Sequence, residues 1–165
     1  MNSNPNAMVV ELELANEAAT AALAGRIAGL VQVPDVIGLS GDLGAGKTAF
    51  ARAFIRAGGA PDEEVPSPTF TLVQTYDLTA GRVYHFDLFR IERPDAAREI
   101  GLEDAFAEGI SLIEWPERLS GDWPVDRLEI TFSQGAKPDA RRVRLIGRGR
   151  WRDRLATAFA EARRG

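Results

Sequence analysis

Asp35-Val-Ile-Gly-Leu-Ser-Gly-Asp-Leu-Gly-Ala-Gly-Lys-Thr48 decides the fold. Its first six residues form a short, mostly apolar run, as a parallel strand buried on both faces requires. Its last eight, Gly41, Asp42, Leu43, Gly44, Ala45, Gly46, Lys47 and Thr48, fit the pattern G-x-x-x-x-G-K-[ST]. Glycines permit a turn tight enough to aim successive backbone N–H groups inward, and a helix starting at Lys47 adds its own unpaired amides. Such a turn holds an anion. A lysine in this place reaches the β and γ phosphates of a nucleotide, and the hydroxyl after it ligates magnesium. With two lysines against eighteen arginines in the chain, composition alone does not supply Lys47. The implied ligands are ATP and Mg2+.

Working outward, Lys47 to Ala57 reads as the helix after the loop, closed by Gly58-Gly59. Upstream, Met8 to Leu14 alternates as a half-buried strand, and Asn16 is placed to cap a helix through about Leu30, on which Ala19, Leu23, Ile27 and Leu30 recur at helical spacing. Downstream, Thr69 to Leu78 and Arg82 to Leu88 read as a hairpin turning at Ala80-Gly81. Pro94 to Ile100 and Leu102 to Ala107 suggest short helices, and Ile110 to Glu114 is a second buried-strand run stopped by Pro116. Arg127 to Ser133 and Arg141 to Ile146 alternate as an antiparallel pair, and Trp151 to Arg163 reads as an amphipathic closing helix. The predicted class is α/β: one P-loop NTPase domain over residues 1–165, a mixed central sheet flanked by helices with an antiparallel hairpin, and a frayed polar start over 1–7.

Hydrolysis needs an acid near the metal and a group that orients water. Asp87 ends Val83-Tyr-His-Phe-Asp87 and Glu114 ends Ile110-Ser-Leu-Ile-Glu114. An acid at the tip of a buried strand beside the loop strand is the arrangement sought, and the pattern leaves both open, Glu114 having the cleaner run before it. His85, the one histidine in the chain, reads as a packing or hydrogen-bonding residue behind the site. Ser67-Pro-Thr69-Phe70 lies between the loop helix and the hairpin, where nucleotide switches place a segment that senses the γ phosphate.

Composition narrows the rest. At 165 residues with 45% hydrophobic and 27% charged residues, the chain is an ordinary globular domain. Without cysteine it has no thiolate nucleophile, disulfide or cysteine-ligated metal. No apolar run approaches the roughly 20 residues that cross a bilayer, and the expected location is cytoplasmic, with no membrane partner. A net charge of -4 argues against general DNA or RNA binding. The local exception is a basic stretch, Arg141, Arg142, Arg144, Arg148, Arg150, Arg152 and Arg154, read as a solvated strand edge and helix start or as an RNA or acidic-protein contact.

Four strings in order, Gly41-Asp-Leu-Gly-Ala-Gly-Lys-Thr48, Ser67-Pro-Thr-Phe-Thr-Leu72, Tyr84-His-Phe-Asp-Leu-Phe-Arg90 and Ile113-Glu-Trp-Pro-Glu-Arg118, resemble the TsaE (YjeE) family of bacterial ATPases. The likeness spans about Leu14 to Arg118 and fades over the last strands and helix. It implies an ATPase that acts in making threonylcarbamoyladenosine (t6A) in tRNA. In that role it works with the TsaB and TsaD proteins, regulates or resets their transferase complex, and meets tRNA only indirectly. By position, it also implies that Lys47 and Thr48 hold phosphate and metal, that Glu114 is the metal-associated acid and Asp87 the acid of the His-x-Asp string. Thr69 falls in the switch-like segment, Trp115 is the tryptophan beside the metal acid, and Leu14 to Thr20 neighbours the adenine. Phe89 departs from the family, which often has tyrosine there. Two other readings share the loop: a small-molecule kinase with Arg90, Arg93 and Arg98 as a lid, and a binding module whose nucleotide only orders an interface.

Overall fold

The computed structural model describes residues 6–42, 44–68 and 71–160; the expectations for Leu43, for Thr69 and Phe70, and for the two ends of the chain fall outside these. The first strand, β1 (Met8–Leu14), leads through the Asn16 cap, whose side chain accepts from the Ala19 amide at 2.9 Å, into α1 (Glu17–Ala28). Next come β2 (Val36–Ser40), the glycine loop and α2 (Lys47–Ala57). The hairpin is β3 (Val73–Leu78) and β4 (Gly81–Asp87). After α3 (Pro94–Glu99) and α4 (Leu102–Glu108) come β5 (Ile110–Glu114) and a 3-10 turn, Pro116–Leu119. The chain closes with β6 (Leu128–Gln134), β7 (Arg141–Gly147) and α5 (Arg150–Ala158).

The strands form one sheet in the order β1-β7-β6-β2-β5-β4-β3. β2 lies parallel to both β5 and β6, and β4 lies parallel to β5. The β3–β4, β6–β7 and β1–β7 pairs are antiparallel, so the parallel centre carries antiparallel edges. Both neighbours of β2 come later in the chain, which makes the carboxyl end of β2 a crevice of the kind where open α/β sheets bind ligands. The glycine loop stands in it.

Because side chains alternate along a strand, the two faces of the sheet carry separate cores. Ile37 and Leu39 of β2 and Leu112 of β5 pack with Phe50 and Phe54 of α2, Ile27 of α1 and Trp151 of α5. Val36, Phe86 and Ile113 point the other way, under Ala97 of α3, Leu102 and Ala105 of α4 and Leu119. Burying each such phenylalanine contributes about 1.5–3 kcal/mol. Helices therefore cover both faces. Among the described residues no helix is long and apolar enough to cross a membrane.

Two expected boundaries shift, and one expected neighbour changes. The first hairpin strand begins at Val73, because Leu72 takes a left-handed backbone (φ 68°) and its carbonyl accepts from the Asp87 amide. The closing helix ends at Ala158, short of Arg163. And β4, with Asp87 at its tip, is separated from the loop strand by β5, so Glu114 alone of the two acids sits on the neighbouring strand.

Candidate functional site

Gly41 follows β2 at φ 135°, where a Cβ would stand 2.5 Å from the Phe132 carbonyl oxygen of β6. Only glycine allows the chain to turn this close to another backbone. Gly44 (φ 79°) and Gly46 (φ 117°) are also left-handed, and Gly46 caps α2 with its carbonyl taking the Phe50 amide at 2.9 Å. The amides of the first turn of α2 have no partner within the helix and face the crevice end of the sheet, as an anion site needs.

Lys47 is 5% exposed. Its Nζ donates to the carbonyls of Gly41 and of Asp42, the latter at 2.9 Å, and lies 4.2 Å from the centre of the Trp115 ring. Burial holds its pKa below the ordinary lysine value, opposed by the carboxylates of Glu114, Glu117, Asp87 and Asp42. The ammonium is thus folded back over the loop and partly stripped of water.

The acids reach the loop by strand parity. Asp87 pairs with Glu114 and Leu39 with Glu114 in register, so Glu114 continues the Leu112 face toward α2 and His85 and Asp87 share that face from β4. Thr48 Oγ1 donates to Glu114 Oε1 at 2.9 Å. The other oxygen, Oε2, lies 2.7 Å from Nε2 of the fully buried His85. Facing a carboxylate, Nε2 carries the proton; His85 Nδ1 has no partner among the described residues. One carboxylate is thereby fixed at both oxygens, by a hydroxyl 66 residues away and by the chain's single imidazole.

Asp87, 5% exposed, accepts from the Phe89 amide at 3.0 Å on Oδ1 and from Ser67 Oγ at 3.4 Å on Oδ2. It anchors the segment that leads to Thr69. Immediately after Glu114, Trp115 adopts φ 64°, an outlier for a bulky residue, while its amide still bonds the Leu39 carbonyl. This sharp exit from β5 puts the indole beneath Lys47 and against Phe89, ring centres 4.9 Å apart.

Two cavities flank the loop and share Gly44, Gly46 and Ala49. One, of about 340 Å³, holds Lys47, Thr48, Ser67, Asp87, Glu114 and Trp115. The other, of about 530 Å³, lies between the start of α1 (Asn16, Glu17, Thr20) and the β6–β7 turn (Asp139, Arg141). A charged end and a roomier end meet over one loop. Among the described residues no three His, Cys, Asp or Glu side chains gather as a metal cage. One hydroxyl beside one carboxylate suits Mg2+, which keeps most of its waters and takes few protein ligands.

Of the arginines that a kinase lid would use, Arg90 lines the cleft, whereas Arg98 is bound to Asp122 at 2.6 Å at the far end of α3 and Arg93 precedes that helix. The basic stretch is largely spent on the scaffold. Arg144 pairs with Glu11, Arg148 with Glu129, Arg150 with Asp126 and Arg154 with the buried Asp35. Sequence reasoning missed Arg141, whose position at the loop is hidden by the arginines around it.

Comparison with known proteins agrees with this layout. The profile of the family described as threonylcarbamoyl adenosine biosynthesis protein TsaE matches residues 14–143, past the Arg118 limit of the four strings and through β6. A tRNA threonylcarbamoyladenosine biosynthesis protein TsaE of Rickettsia felis is 42% identical over 106 residues, 64% of this chain. The chain spans 62% of that relative, less than two thirds of its length. Its Bacillus subtilis counterpart is 35% identical over 135 residues, covering 81% of this chain and 83% of the relative. The crystal structure of Bacillus subtilis YdiB superposes with a TM-score of 0.74 at 28% identity, over 96% of each chain.

Proposed function

The chain belongs to the TsaE family, and from that membership we propose that it is a Mg2+-dependent ATPase serving the threonylcarbamoyladenosine modification of tRNA. The observation that carries the proposal is the 2.9 Å contact between Thr48 and Glu114, beside Lys47, at the mouth of the glycine loop. It places the hydroxyl and the carboxylate that would share a metal next to the ammonium that would meet its phosphates.

In this reading the loop amides and Lys47 bind the β and γ phosphates. Thr48 and Glu114 would hold Mg2+, which would supply positive charge to the terminal phosphates. His85 keeps the Glu114 carboxylate turned toward Thr48. Asp87 orients a water whose oxygen attacks the γ phosphorus; the bond to the β-phosphate oxygen breaks, leaving ADP, inorganic phosphate and a proton. The nucleoside extends over Gly46 toward Asn16 and Thr20. Partners are TsaB and TsaD, whose complex the nucleotide cycle regulates or resets, and tRNA is met through them.

Calorimetric titration of the protein with ATP and Mg2+, alongside phosphate release, tests this directly. Wild-type protein binds and slowly hydrolyses; Lys47→Ala loses binding, and Glu114→Ala loses the gain in affinity that Mg2+ brings. Unchanged affinity and turnover in Lys47→Ala would end the proposal. For the cellular role, wild-type protein restores t6A formation to a reconstituted TsaB and TsaD system lacking its ATPase, and Glu114→Ala does not.

A further inference from the structure

Arg52 stands one turn after Thr48 on α2, half-buried, and its Nε donates to the Val65 carbonyl at 3.3 Å. One turn further on, Arg56 Nε donates to the Glu63 carbonyl at 3.1 Å. Four helical residues advance about 6 Å, and two residues of extended chain advance about 6.6 Å. The segment that leaves α2 is therefore laid back along the helix in the opposite direction, two of its residues to each turn. Continued by one step, the ladder sets Ser67 beside Thr48, and both line the smaller cavity. From Glu64 to Pro66 no backbone group pairs with another backbone group among the described residues, and Pro66 has no amide to give. What fixes this stretch is Val65, 3% exposed in the core, and the guanidinium on its carbonyl.

We propose that Arg52 is a positioning residue for hydrolysis, acting through the Val65 carbonyl and Ser67 on Asp87. This rests on the reading of the cleft as a site of ATP hydrolysis. Ser67 Oγ donates to Asp87 Oδ2 at 3.4 Å, a long contact that a small shift of the segment would break. Asp87 Oδ1 is held separately by the Phe89 amide at 3.0 Å, so Ser67 bears on the direction of the second oxygen. Arg52 is not among the described residues lining either cavity at the loop, and it reaches the reaction only through the segment. Because Arg52 and Thr48 belong to one helix, the bond couples the helix that opens at the glycine loop to the acid that faces it from β4.

Single-turnover phosphate release and calorimetric ADP affinity should be measured for wild type, Arg52→Met, Arg52→Lys, Ser67→Ala and the Arg52→Met/Ser67→Ala double variant, with thermal melting of each. Methionine keeps an apolar stem and removes the donor. Arg52→Met is expected to slow release roughly ten- to a hundredfold, the scale for a catalytic group misplaced by about 1 Å, with ADP affinity unchanged. Arg52→Lys, which keeps an N–H donor, recovers part of the rate. Since both residues act on Asp87 along one path, the double variant is no slower than the slower single variant, whereas independent effects would multiply. A wild-type rate in Arg52→Met, or a double variant slowed by the product of the two single effects, would overturn the assignment and leave the ATPase reading intact. So would ADP affinity falling in step with the rate, which would make Arg52 a residue of binding or folding. If the wild-type protein itself releases no phosphate, the ATPase reading fails and the role of Arg52 with it. Should Arg52→Met not fold, Arg52→Gln decides, since it keeps a polar group at the half-buried position but falls short of the carbonyl. Slowed release at wild-type ADP affinity then supports the assignment, and the wild-type rate refutes it.

Discussion

A buried ammonium at Lys47 costs the protein stability where no anion lies against it. Its pKa in the fold lies below the value in the unfolded chain, so the unfolded state binds more protons and stability rises with pH across the interval between the two. The penalty is fully present below the folded-state pKa and is lost as the pH rises through it. Lys47→Met is therefore expected to melt higher than wild type in the absence of nucleotide while losing ATP binding, and its advantage shrinks as the pH climbs into the alkaline range. An equal or lower melting temperature for the variant at neutral pH would mean that the carbonyl and Trp115 contacts outweigh desolvation. His85 acts through Glu114: His85→Ala frees Oε2, and turnover is expected to fall roughly ten- to a hundredfold, as when the outer support of a metal ligand is removed. Single-turnover phosphate release reads this, with Mg2+-free ADP binding unchanged as the control. At this scale the loop was legible because its chemistry lies in eight consecutive residues. Asp87 and Glu114 could not be ranked from sequence, since what separates them is which strand lies beside β2, and that is settled by pairings across the sheet.

Elements were read best where glycine or proline marks both ends. Lys47–Ala57 lies between Gly46 and Gly58 and was placed residue for residue, whereas the start of β3 was misjudged because a left-handed Leu72 carries no local signal. The β3–β4 hairpin and the antiparallel β6–β7 pair were legible, but the rest of the strand order was not. β1 joins the sheet through β7 from the other end of the chain, a pairing that no short-range pattern encodes. The turn from β2 into α2 yields a paired prediction. Gly41→Ala meets both a positive φ and the Phe132 carbonyl at 2.5 Å, so the loss in unfolding free energy is expected to exceed about 2 kcal/mol. Gly44→Ala has a positive φ and nothing within 4 Å, and should cost about 1 kcal/mol. Urea unfolding of the two variants compares them; equal costs would show that the loop relaxes away from β6 and that close approach does not shape it.

Across the whole molecule, charge is arranged to keep the two sides of the sheet together. Asp35, 1% exposed, receives the Gln32 amide at 2.7 Å and the Arg154 guanidinium, which ties α5 to the root of the strand that carries the loop. Glu11 and Glu13 of β1 stand opposite Arg144 and Arg142 of β7, so much of the basic stretch faces carboxylates across the same sheet edge. An alternating Arg run and a separate Glu run look like two features in sequence and become one neutral surface when the strands pair. Nucleic acid is held mainly by cations that release counterions from phosphate, and those already paired with carboxylates release few. With a net charge of -4 as well, the protein alone is expected to bind tRNA more weakly than about 10 µM at physiological salt, the nonspecific range. Fluorescence anisotropy with labelled tRNA between 50 and 200 mM salt measures it. A dissociation constant well below that bound, with a steep salt slope, would show that the pairs open to receive RNA; weak binding that tightens only when TsaB and TsaD are added would place the RNA contacts on those proteins.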